Sequence, residues 1–168
     1  EEFPDIIFIA EVYQKELYAR YINEVGFDFL YDKSGLYDSV RSVVEGHGTA
    51  KSLTWNRQFL GDLQPRMLNF LENHDEQRRD RRVERRKAGI FLNTAPYMVY
   101  FGEEIGERGM DAEGFSGLDG RTTIFDWWKI PSIGRLIEYI HTDKGLTPEE
   151  TTLLERWRRF LNMAVSVP

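Results

Sequence analysis

The sequence predicts an α/β fold organised on a parallel sheet, and three observations carry that expectation. Four short apolar runs, IIFIA, FDFLY, LNFLE and YMVYF, recur along the chain. Between them lie segments of helix length, several with apolar residues at helical spacing. Polar residues with chemistry follow the strand ends, Glu11 after the first run and Asn73, His74 and Asp75 after the third. Strand and helix in alternation is the pattern of a parallel sheet with helical crossovers, whose sites collect at the carboxyl edge of the strands.

Residues 6–10 form a continuous apolar run, the reading expected of a strand buried on both faces. Residues 14–25 follow as a helix with Leu17, Tyr21, Ile22 and Val25 at helical spacing, closed by Gly26 as C-cap. Residues 27–31 are a second strand, ended by Asp32-Lys33-Ser34-Gly35. Residues 36–44 are helical, with Leu36, Val40, Val43 and Val44 on one side. Residues 47–65, carrying Trp55, Phe59 and Leu60, read as a long irregular connection. The third strand spans 68–72, a helix 78–92 and the fourth strand 97–101. Residues 102–128 have no clean period and many glycines, so a long loop or broken helix is expected. Residues 133–140 read as helix. Thr147-Pro148-Glu149-Glu150 has the form of a capping box, with Thr147 as cap and Glu150 reaching back. The helix it opens has Leu153, Leu154, Trp157, Phe160 and Leu161 as its apolar stripe.

Composition narrows the function classes. A chain of 168 residues with 41% hydrophobic and 14% aromatic residues can bury a core, so disorder is not expected. Twenty-two basic residues against 28 acidic ones give a formal net charge of −6, which offers no general attraction to nucleic acid. The run at 78–87, RRDRRVERRK, reads as a solvated helix face with Glu76–Arg79 and Glu84–Lys87 at i,i+3 spacing. It lacks the interleaved aromatics that stack on bases, so no nucleic-acid partner is expected. There is no cysteine, hence no disulfide, thiolate nucleophile or thiolate ligand. No signal-peptide pattern and no apolar run of bilayer length is seen, so no membrane partner is expected, and the compartment stays open.

Two stretches carry chemistry. Glu11 could be a carboxyl that gives and takes a proton, with Ile9, Ala10, Val12 and Tyr13 around it. It could equally be a glutamate ahead of a helix, stabilised by the helix dipole. Asn73 or Asp75 could cap a helix with Glu76 in its first turn, or His74 and Asp75 could share a site if the chain bends there. One histidine beside one aspartate, with no second histidine near in sequence, is a poor metal signature, and no metal is expected. The glycines at 102, 106, 109, 114, 117 and 120 fit neither a dinucleotide nor a phosphate-loop spacing.

Three motifs in order resemble glycoside hydrolase family 13, the α-amylase superfamily. IIFIAEVY (6–13) resembles its fifth barrel strand ending in the acid/base glutamate. LNFLENHDEQR (68–78) resembles the seventh, ending in Asn-His-Asp. APYMVYFGEEIGERG (95–109) resembles the eighth with its Gly-Glu-rich loop. The resemblance implies a (β/α)8 TIM-barrel type fold. Residues 1–168 would cover its second half, strands five to eight with their helices, without the N-terminal half or the C-terminal β-domain. A complete barrel typically needs about 250 residues.

The resemblance further implies a retaining α-glucan hydrolase or transglycosylase acting on starch or glycogen type bonds. Glu11 would be the acid/base and Asp75 the carboxylate stabilising the oxocarbenium-like transition state, while His74, Asn73 and Tyr13 would contact sugar. The family's nucleophilic aspartate with its arginine, and its Asp…Asn-His motif, have no match here; Asp32 follows a strand but does not match the nucleophile. The chain alone is therefore expected to be inactive. No cofactor is evident, and calcium is possible in a full-length enzyme, since its usual ligands lie largely outside these residues. Phe125, Trp127 and Trp128 could stack on sugar or fill a core. The partner would be an α-glucan, and a half-barrel exposing IIFIA and YMVYF would tend to self-associate. The alternative is a non-catalytic half-barrel serving as a carbohydrate-binding or structural unit.

Overall fold

The computed structural model describes residues 3–76, 95–109 and 130–166. The chain divides into two compact units, Glu1–Leu71 with Glu84–Met98, and Glu72–Val83 with Val99–Pro168. The expected helix at 78–92, the basic run at 78–87 and most of the glycine-rich segment lie outside the described residues.

The first unit holds the sheet. Strand β1 (Ile9–Ala10) leads into a 3-10 turn (Lys15–Leu17), a single α turn, α1 (Tyr18–Arg20), and a π turn (Tyr21–Val25). Gly26 ends this run at φ 90°, a left-handed conformation that glycine adopts without a Cβ clash, and its N–H donates to the Tyr21 carbonyl. Strand β2 (Phe29–Tyr31), a π turn (Lys33–Tyr37) and α2 (Asp38–Val44) follow. Next come α3 (Ala50–Leu60), a 3-10 turn (Gly61–Arg66), β3 (Met67–Phe70) and β4 (Tyr97–Met98). The sheet order is β1-β2-β3-β4 and every pairing is parallel. The predicted α/β class with a parallel sheet is thus observed, and sequence-order parallel strands are consistent with part of a TIM-barrel type fold.

Two expectations for this unit are corrected. Residues 47–65 were expected to be irregular, yet they contain the eleven-residue α3. Its inward face is Leu53, Asn56 and Leu60, while Trp55 and Phe59 are exposed. The large apolar side chains therefore mark the wrong face, and a buried asparagine interrupts the right one. The run at 6–10, expected to be buried on both faces, forms a strand only at its end. Ile6, Ile7, Phe8 and Ile9 are about half exposed or more, and Ala10 alone is buried. Among the described residues β1 is the outermost strand of its sheet, with β2 on one side only.

One core cluster gathers Ala10, Val12, Tyr18, Leu30, Leu60 and Met67, so the two helical segments pack on β1, β2 and β3. A second joins Leu36 and Val40 to Leu71. Phe70 is held between rings, tilted against Tyr31 and stacked on Tyr37 at 5.1 Å.

The second unit contains a 3-10 turn (Glu103–Ile105), α4 (Pro131–Thr142) and α5 (Pro148–Ser166). Ile105, Ile130 and Ile133 form its core, with Leu136, Leu146 and Leu154 against them. The capping box forms as the sequence predicts: the Glu150 N–H donates to Thr147 Oγ1 at 3.2 Å and the Thr147 N–H to Glu150 Oε2 at 2.9 Å. Arg135 of α4 also holds Glu150, its Nε donating at 3.0 Å. Glu107 is buried and accepts from the Ser132 hydroxyl and the Gly109 N–H, which ties the segment after the 3-10 turn to the start of α4.

Candidate active site

A parallel sheet aims the carboxyl ends of all its strands in one direction, so the residues leaving β1 and β2 share an edge. Glu11 is the first residue beyond β1 and is exposed. The hydroxyl of Tyr13 donates to the Glu11 carboxylate, so two of the predicted site residues are brought together. Tyr13 is itself held by the turn after β2. Ser34 Oγ donates to the Tyr13 carbonyl at 2.9 Å, and Lys33 Nζ lies 5.9 Å from the centre of the Tyr13 ring. The same ammonium is 5.7 Å from the Tyr37 ring and 3.2 Å from Asp38 Oδ1. The result is a carboxylate with a phenolic donor on it and a cation close to that phenol. Such a group can exchange a proton with a bound ligand while the phenol fixes its orientation.

Asn73, His74 and Asp75 follow the end of β3 in the chain and belong to the second unit. Asn73 is buried and its Oδ1 accepts two backbone N–H groups, from Asp75 at 3.0 Å and Glu76 at 2.7 Å. This Asx-type turn makes the chain bend that lets two consecutive side chains meet. His74 Nε2 lies 3.5 Å from Asp75 Oδ2, with the two side chains about a third and a half exposed. Asn73 thus acts on the backbone, and His74 and Asp75 present an imidazole and a carboxylate side by side. That pairing suits the hydroxyls of a polyol, or a developing positive charge.

The sequence marks Asp32 only as an aspartate that follows a strand. Asp32, directly after β2, is fully buried, and burial pushes its carboxyl above the ordinary carboxylate range. Nearby backbone N–H groups of Leu36 and Gly35, the Lys15 charge and the Asn56 amide pull the other way. Its position after a strand was legible; its burial against an asparagine on α3 was not. Phe125, Trp127 and Trp128 lie outside the described residues. Among the described residues no group of three or more His, Cys, Asp or Glu is placed to hold a metal ion, and no helix is long and apolar enough to cross a membrane.

No protein-family model matches the sequence, and no curated protein matches it. Among solved structures the chain is similar to the noncanonic maltogenic α-amylase AmyB from Thermotoga neapolitana, with 20% identity and a TM-score of 0.45 over 82% of this chain. The match covers 33% of that protein, so the chain spans about a third of its length.

Proposed function

We propose that this chain is part of a retaining α-glucan-active glycoside hydrolase or transglycosylase acting on starch or glycogen type bonds. Glu11 is its acid/base. Asp75 is the fixed carboxylate beside the oxocarbenium-like transition state, with His74 and Tyr13 contacting sugar and Asn73 holding the turn that carries His74 and Asp75. One observation supports this above the rest: the glutamate that ends the IIFIAE motif stands directly beyond β1 of a parallel sheet, at the edge where such enzymes keep their carboxyls. Retention needs two carboxyl groups roughly 5–5.5 Å apart, one of them a nucleophile. No aspartate of this sequence matches the family's nucleophile, so that group is supplied by residues other than these.

The test is Glu11→Gln in the full-length protein that carries this chain, assayed by release of reducing ends from starch. General acid–base groups typically contribute about 10²–10⁴ in rate, and a loss of that order is expected. Undiminished activity in the variant overturns the assignment.

A further inference from the structure

The carboxyl end of β2 holds a polar pair that the proposed chemistry does not use. Asp32 is fully buried, and neither of its carboxylate oxygens has a hydrogen bond of good geometry. Asn56, on the inward face of α3, is 8% exposed, and its Oδ1 is equally without a partner. The two meet over Gly35. A Cβ at that position would stand 1.9 Å from Asp32 Oδ1 and 2.7 Å from Asn56 Oδ1, so both oxygens crowd one Cα. Acceptors pressed together away from water lose their hydration and repel. A single hydrogen between them removes both penalties. Burial, the largest influence on Asp32, favours the form that carries such a hydrogen and outweighs the Leu36 and Gly35 N–H groups, the Lys15 charge and the Asn56 amide, which favour the ionised form. Tyr18 is also fully buried beside Asp32, and burial, the largest influence on it, favours its neutral phenol.

We propose that Asp32 is a protonated carboxylic acid in the folded protein, that its O–H donates to Asn56 Oδ1, and that this buried bond is the positioning device for the turn that holds Tyr13 on Glu11. The route is short. The Asp32 carbonyl accepts from the Tyr37 N–H at 3.2 Å, closing the π turn. That turn carries Ser34, which donates to Tyr13, and Lys33, which stands by the Tyr13 ring. Among the described residues, the titratable and charged groups facing this region are Lys15, Glu16 and Tyr18 from the segment after β1, Lys33 in the turn itself and Asp38 from α2; α3 contributes the neutral Asn56. Only the naming of Glu11 as the reacting group rests on the glycosidase reading.

The test uses infrared spectroscopy of protein labelled with carboxyl-¹³C aspartate, beside hydrogen exchange of amides 33–37. At pH 7 the wild type should show a protonated-carboxyl C=O band that Asp32→Asn lacks. Asn56→Ala, which removes the acceptor and leaves Asp32 in place, should move that band to higher frequency. As pH rises and the band disappears, protection of amides 33–37 should fall by about tenfold in the wild type, the loss of one ordinary hydrogen bond. In Asp32→Asn, which keeps a donor at every pH, protection should hold. No band at pH 7 overturns the proposal, because an ionised Asp32 would then take its hydrogen from the Asn56 amide turned over. A band that ignores Asn56→Ala, or protection that follows pH alike in both proteins, overturns the partner or the positioning role. None of these readouts depends on glucan turnover, so a failed starch assay with a positive band condemns the enzyme reading alone.

Discussion

Thr147 and Glu150 show how far a local motif can be trusted. Each satisfies the other's backbone N–H, a reciprocity that needs only a three-residue spacing and is therefore visible in sequence. Thr147→Ala should cost about 1 kcal/mol in denaturant unfolding, the usual value of an N-cap. Hydrogen bonds from Arg135 hold the Glu150 carboxyl below the ordinary glutamate range. Its contribution is then complete above the unfolded-state value and lost as pH falls through the lowered folded one. The stability gap between wild type and Glu150→Gln should accordingly shrink on acidification, which urea titrations at stepped pH would measure. The site residues were legible to different depths. That Glu11 stands directly beyond one strand and Asp75 a few residues beyond another was legible, because an apolar run followed by a carboxylate is a one-dimensional signal. That Asn73 serves the backbone depends on a bend whose hydrogen bonds sequence does not display. Asp32 and Asn56 lie on different elements, and only tertiary folding brings both to Gly35.

At the scale of elements, helix α5 carries the clearest stripe, and Trp157 at its centre is 1% exposed. Trp157→Ala should destabilise the protein by about 3–5 kcal/mol in thermal or denaturant melts, within the range for truncating a large buried aromatic. Helix α3 went unread for the opposite reason. Its exposed Trp55 and Phe59 outweigh Leu53 and Leu60 in any apolar count, and Asn56 stands where a hydrophobic residue would have completed the pattern. Periodicity reports burial, so it fails on a helix that buries a polar group and exposes its aromatics. Strand positions came through and strand lengths did not: β1 and β4 are shorter than the apolar runs that announce them, because pairing ends before hydrophobicity does.

At the scale of the whole molecule, the run 6–9 leading into β1 leaves isoleucine and phenylalanine side chains exposed, and among the described residues β1 is paired on one side. Such an edge is a template for further pairing. The 168-residue chain by itself should associate in size-exclusion chromatography with light scattering, and Ile7→Lys together with Ile9→Lys should shift it toward monomer. It should also leave starch intact for want of a nucleophile; a stable monomer that hydrolyses starch would refute both expectations. The all-parallel register has a kinetic consequence as well. No pairing in this sheet can zip from a hairpin, since each joins strands well separated in the chain. Ile9 with Phe29 closes the shortest stretch and Leu30 with Met67 the longest. Loop entropy costs roughly 0.6 kcal/mol per doubling of length, a modest bias that favours β1 and β2 as the first pair to form. A nascent sheet that begins there carries its stickiest edge from the first moment of assembly, so the race between folding and aggregation is run at residues 6–9.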